Sequence, residues 1–167
     1  MTPCRAVLFD LFDTLIVFER ERLPEITVGG RPVRSTAGHL HEALRPFAPH
    51  VPLADFVAAL RASWEDAERI RNETHREVAA PERFGTMFRR LGVDPAGLPA
   101  EAIPTLLATH MRVLAGAMVF PDHHRDLLDR LRRRHRLAVV SNFDYTPTAR
   151  DILERAGVAD LFQTVVV

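Results

Sequence analysis

The chain has 167 residues, 22 basic against 22 acidic side chains, a formal net charge of zero and 47% hydrophobic residues. That length fits one or two small domains, and the balance excludes a disordered, collagenous or heavily charged nucleic-acid-coating protein. All 22 basic residues are Arg, so no chemistry within this sequence can use a lysine ammonium.

Cys4 is the single cysteine, which rules out an intrachain disulfide and a Cys-based zinc site and suits a reducing compartment. The N-terminus lacks a signal-peptide pattern, because its first apolar run is interrupted by Asp10 and Asp13. No window approaches the ~20 apolar residues of a membrane span. A cytoplasmic address without membrane attachment is the expectation.

In chain order, residues 6–12 (Ala-Val-Leu-Phe-Asp-Leu-Phe) form a short apolar run, the pattern of a strand buried on both faces of a parallel sheet. Ile26–Val28 and Pro32-Val33 flank Gly29-Gly30, a two-residue hairpin signal. Ser35 can cap a helix running to Leu44. Leu53, Phe56, Val57, Leu60, Trp64 and Ala67 follow helical spacing, with Trp64 expected in the core of this segment. Phe84, Met87, Phe88 and Leu91 predict a short helix ending at Gly92, and Ile103 to Leu114 predict another. Pro121-Asp122 opens a helix carrying Leu127, Leu128 and Leu131. A second apolar run follows from Leu137 and ends at Ser141-Asn142. Thr146 and Pro147 supply an N-cap and a first helical position, Gly157 stops that helix, and Gln163–Val167 reads as a further strand. Strand, helix, strand at this spacing is a parallel βαβ unit.

Ligands of open parallel sheets bind outside the carboxyl ends of the strands. Asp10 and Ser141 both belong there. If their strands are neighbours, a carboxylate able to act as nucleophile or metal ligand meets a hydroxyl able to hold an anionic oxygen. The basic run Arg130 to Arg136 falls at a helix end, where cations suit the dipole, and reads as a solvated face; no nucleic-acid partner is expected. His39 and His41 point to different helix faces and His123 and His124 are adjacent, so neither pair suits a metal.

Phe9-Asp10-Leu11-Phe12-Asp13-Thr14-Leu15 and Val140-Ser141-Asn142-Phe143-Asp144 resemble the first two motifs of the haloacid dehalogenase (HAD) superfamily of hydrolases. The hairpin and helices between them resemble that superfamily's flap and helical cap. The resemblance implies an α/β fold, a Rossmann-like parallel sheet with an inserted helical cap. Residues 1–17 and 117–167 would form the core and 18–116 the cap. It implies Asp10 as nucleophile, with Mg²⁺ bound by Asp10 and the backbone carbonyl of Phe12. Thr14 would brace the turn, Ser141 would bind phosphoryl or carboxylate oxygens, and Asn142 would orient a small-molecule substrate.

Phe12 stands where the superfamily's phosphatases carry an acid that protonates the leaving group, and phenylalanine carries no proton. Asp13, one place on, is set off by the register of the turn. An aromatic at this place resembles haloacid dehalogenases, in which the Asp attacks carbon. The superfamily's lysine motif and its paired-acid motif would lie beyond Val167, so the sequence is expected to be the front part of a hydrolase, truncated and of negligible activity. The readings are a phosphoester hydrolase acting through an aspartyl-phosphate, a C–halogen hydrolase, or a non-catalytic fragment that binds a partner. In the superfamily the first strand is central; with the later segment absent, its edge would be open, which predicts a homodimer or poor solubility.

Overall fold

A computed structural model describes residues 4–167. In chain order the strands and helices are β1 (Ala6–Phe9), β2 (Val17–Phe18), β3 (Glu25–Val28), β4 (Arg31–Arg34), α1 (Ala37–Leu44), α2 (Leu53–Thr74), α3 (Ala80–Arg90), α4 (Ala102–Ala115), β5 (Met118–Val119), α5 (Asp122–Leu131), β6 (Arg136–Val140), α6 (Thr146–Arg155) and β7 (Thr164–Val166). The chain divides into two compact units, one of residues up to Glu19 with Ala115–Val167, the other Arg20–Leu114.

In the first unit β1, β6 and β7 form a parallel sheet in the order β1-β6-β7. The fold class is mixed α/β, as the alternation of elements predicts. Ala6 faces Arg136 and Phe9 faces Val139, while Val139 faces Val165 in the next strand. Val7, Phe9, Leu137, Val139 and Val165 turn to one side and pack with Leu128 of α5 and with Ala149, Ile152 and Leu153 of α6. The core therefore lies between one sheet face and these two helices.

The other face is open, which corrects the expectation of strands buried on both sides. Leu8 is 65% exposed, Val140 45% and Val166 52%. A continuous apolar run cannot by itself separate burial on two faces from burial on one, and here alternation by position decides it.

β1 also ends at Phe9 rather than Phe12. Beyond it the chain makes a tight turn in which the Leu15 and Ile16 N–H groups both donate to the Leu11 carbonyl at 2.9 Å, and the Asp13 N–H donates to the Ile16 carbonyl at 2.7 Å. Asp13 takes a left-handed backbone (φ 57°), a conformation that short polar side chains tolerate better than others. Leu11, Leu15 and Ile16 are buried, so the last part of the apolar run anchors a loop instead of extending the strand. After the turn β2 pairs antiparallel with β5, a two-residue ribbon too short to leave a periodic signal.

In the second unit β3 and β4 pair antiparallel around Gly29-Gly30, both at positive φ as the sequence predicts. The Ser35 hydroxyl accepts the Ala37 N–H at 3.1 Å at the entrance of α1. α2 runs to Thr74, beyond the apolar stripe, because its last turns carry exposed pairs such as Arg69–Glu73 at i,i+4. Trp64 is not core: it is 38% exposed, and its ring covers the buried Arg83 guanidinium at 3.7 Å. In α6 the residue before the first turn is Tyr145, so Thr146 is helical rather than the cap.

Candidate active site

Asp10 follows the last residue of β1, and Ser141 follows the last residue of β6. Their strands are adjacent and parallel, so both sit at the same carboxyl end of the sheet. Continuing the register places Asp10 opposite Val140 and Ser141 one step further; the Ser141 N–H prolongs the ladder by donating to the Val166 carbonyl at 2.9 Å.

The two side chains differ in exposure. Asp10 is exposed, whereas Ser141 is buried at 8% exposure. The Ser141 hydroxyl accepts the Phe143 N–H at 3.3 Å and so orders the loop after β6. A hydroxyl that accepts one hydrogen bond still has its own O–H to donate.

Thr14 and Asp10 are brought together directly. The Thr14 hydroxyl lies 3.5 Å from Asp10 Oδ2, at the long limit of a hydrogen bond, and both residues are exposed. The left-handed turn at Asp13 carries Thr14 back over the end of β1. Asn142 is exposed beside Ser141.

Phe12 packs its ring against Phe143, centroids 4.4 Å apart at 39°. This pair ties the loop after β1 to the loop after β6 and lays an apolar surface beside the end of β1. Phe143 was not singled out in the sequence, since neither periodicity nor spacing links it to Phe12. His124, which the sequence shows only as unsuited to a metal, also supports this region. From α5 its Nδ1 meets the Leu15 carbonyl at 3.1 Å, holding the turn that contains Thr14.

Oxygen donors of the kind Mg²⁺ takes are present in the Asp10 carboxylate and the Phe12 carbonyl, but they are few. Mg²⁺ needs near-octahedral oxygen coordination, usually with one or two carboxylates besides water and substrate phosphate. Among the described residues no group of three or more His, Cys, Asp or Glu is placed to hold a metal ion. The described residues alone therefore do not make a magnesium site.

A family model described as haloacid dehalogenase-like hydrolase matches residues 4–167. Two solved structures are similar to the chain in fold. The HAD-hydrolase YfnB from Bacillus subtilis, bound to magnesium, has a TM-score of 0.52 at 18% identity, covering 98% of this chain and 63% of its own. A 2-haloacid dehalogenase from Pseudomonas syringae pv. Tomato DC3000 has a TM-score of 0.50 at 16% identity, covering 98% of this chain and 64% of its own. The chain thus spans less than two thirds of the length of either. No curated protein matches.

Proposed function

The chain belongs to the haloacid dehalogenase-like hydrolase family, and on that premise we propose that it carries the nucleophile half of a site that hydrolyses a small phosphoester, with Asp10 as the attacking carboxylate. The observation that carries this reading is the placement of Asp10 and Ser141 at one end of adjacent parallel strands. Asp10 Oδ attacks phosphorus, the bond from phosphorus to the leaving oxygen breaks, and an aspartyl-phosphate remains for water to cleave. Thr14 steadies the carboxylate. Ser141 donates its O–H to a phosphoryl oxygen while accepting the Phe143 N–H, and Asn142 orients the substrate beside it.

Phe12 can neither protonate the leaving oxygen nor activate the water, steps typically worth about 10²–10⁴-fold each. No lysine within the 167 residues neutralises the incoming anion. Turnover by this chain is therefore slow and depends on a good leaving group. Mg²⁺ is the cation the family resemblance implies, and the present donors supply only part of its shell, so no step is routed through it.

A second reading, hydrolysis of a carbon–halogen bond, is favoured by the Phe12–Phe143 pair. There Asp10 attacks carbon, halide leaves without a proton, and an apolar wall costs nothing at the leaving group. In both readings residues 1–17 with 117–167 carry the chemistry. A non-catalytic role is the reading that remains if neither reaction occurs. The substrate is a small molecule rather than nucleic acid, supported by the zero net charge and by the pairing of Arg132 with Asp129 within the basic run. A cytoplasmic address is supported by the lone Cys4.

The test assays the 167-residue chain on an aryl phosphate and on a 2-haloacid, beside Asp10→Asn. Slow release of phosphate, abolished by the substitution, supports the first reading, and release of halide supports the second. Equal rates in the two proteins contradict both.

A further inference from the structure

The peptide unit that joins Leu15 to Ile16 closes the turn of the first motif, and it is held at both ends. Its N–H, on Ile16, donates to the Leu11 carbonyl at 2.9 Å, and its carbonyl, on Leu15, lies 3.1 Å from Nδ1 of His124 in α5. A carbonyl only accepts, so Nδ1 carries the proton; the neutral Nδ1–H tautomer and the imidazolium both offer it. Leu15 and Ile16 are 3% and 0% exposed, and a carbonyl that loses its donor in such surroundings is costly.

His124 is itself fixed. Its backbone N–H donates to the Pro121 carbonyl at 3.0 Å in the first turn of α5, and its ring stands edge-on to Phe120, centroids 5.7 Å apart at 83°. α5 follows β5 with only Phe120 and Pro121 between them, and β5 pairs with β2 through Val119 and Val17. The stretch from Leu15 to Val17 is therefore bonded twice to one continuous segment, by the ladder of β5 and by the His124 side chain.

The other side of the same turn carries the site. The Thr14 hydroxyl and Asp10 Oδ2 are 3.5 Å apart and both residues are exposed. A contact that long and open to water does not hold two side chains in place by itself. The backbone sets the position of Thr14 instead: the left-handed Asp13 precedes it, and the pinned Leu15–Ile16 peptide follows it.

We infer that His124 is a positioning residue for the attack by Asp10: by donating Nδ1–H to the Leu15 carbonyl it holds Thr14 against the carboxylate and so sets the direction from which the nucleophile meets its substrate. The inference rests on the reading of Asp10 as nucleophile and adds to it a residue that touches neither the carboxylate nor the substrate. Because His124 acts through the backbone, the requirement is an N–H at the place of Nδ1, not an imidazole or a charge. Asparagine carries its amide nitrogen on Cγ, as histidine carries Nδ1, and meets that requirement. Leucine fills similar space without a donor.

The experiment compares wild type, His124→Asn, His124→Leu and Leu153→Ala, the last opening a cavity under α6 in the same core. Two quantities are read below the melting temperature of every variant. One is hydrogen exchange of the Leu15 and Ile16 amides relative to that of Val139 in β6, which is independent of turnover. The other is the rate of adduct formation on Asp10 at saturating aryl phosphate, together with the half-saturating concentration. His124→Leu is expected to speed the relative exchange about tenfold and to slow adduct formation about tenfold with little change in half-saturation. His124→Asn restores both, and Leu153→Ala, although less stable, forms the adduct at the wild-type rate. Unchanged relative exchange in His124→Leu overturns the turn as the route of action. Faster exchange with an unchanged rate shows a purely structural contact and overturns the positioning role. A His124→Asn as slow as His124→Leu overturns the hydrogen bond as the cause. Absence of any adduct in wild type overturns the nucleophile reading and this inference with it, whereas the three preceding results, with an adduct in wild type, overturn this inference alone.

Discussion

The rings of Phe12 and Phe143 lie with centroids 4.4 Å apart, joining the loop after β1 to the loop after β6 at the end of the sheet where Asp10 and Ser141 reside. Neither ring is fully exposed or fully buried, so the contact works as a clasp between the two motif loops. Each substitution, Phe12→Ala or Phe143→Ala, is expected to cost about 1–2 kcal/mol, with a coupling of about 0.5–1.5 kcal/mol in the double-mutant cycle. Denaturant titration of the four proteins checks it, and strict additivity would show that the rings act separately.

Asp13 bends the first motif with a positive φ. Asp13→Gly keeps that geometry without a Cβ and is expected to leave stability unchanged or slightly higher. Asp13→Val places a branched side chain in a left-handed conformation and is expected to destabilise by about 1–2 kcal/mol. Thermal melts of both variants, compared with wild type, decide the matter.

In the second unit Gly38 of α1 sits under β3: a Cβ added there would lie 2.7 Å from Ile26 Cγ2. Gly38→Ala is expected to cost about 1–3 kcal/mol through overpacking, in spite of alanine's better helix propensity. Ile26→Ala removes the opposing methyl group, so the second substitution should cost less in the Gly38→Ala background than in wild type. Equal cost in both backgrounds would contradict the contact.

His110 of α4 is 3% exposed, with Nδ1 3.0 Å from the Thr36 hydroxyl and its ring edge-on to Phe84. Burial, and secondarily the Arg83 guanidinium, push its pKa down from 6.5 to about 3. The folded state therefore holds it neutral where the unfolded chain takes up a proton. Its contribution is whole above pH 6.5 and falls away as pH drops from 6.5 toward 3, by up to about 1.4 kcal/mol per pH unit. Urea titrations at several pH values in that window should show this slope in wild type and a flatter one in His110→Phe. Parallel slopes would mean that His110 is not the group responsible.

Much of this architecture was legible in the sequence. The Gly29-Gly30 turn, the Gly92 and Gly157 helix stops and the apolar runs at Ala6 and Leu137 each carry a local physical cause, so the element order follows from them. The one-sided burial of the sheet was not legible: Leu8 and Val140 look as apolar as Val7 and Val139, and only the packing of α5 and α6 on one face separates them. Asp10 and Ser141 stand out because polar residues close apolar runs there, and both follow the last residue of adjacent parallel strands. The contacts of Phe143 with Phe12 and of His124 with Leu15 were not legible, because they are long-range and leave no spacing to read.

The central claim is that Asp10 is a nucleophile, and the most direct measurement is the trapping of its covalent adduct. The aryloxide of an aryl phosphate leaves without needing a proton as the phosphoryl group passes to Asp10, while Phe12 offers no base for the second step, so the aspartyl-phosphate should accumulate. The chain is incubated with the aryl phosphate, treated with hydroxylamine and digested, and the peptide spanning the first motif is weighed by mass spectrometry. The predicted result is a hydroxamate on Asp10, reduced in Ser141→Ala and absent in Asp10→Asn. Phosphate release without any modification of Asp10, or a hydroxamate on another residue, would contradict the assignment.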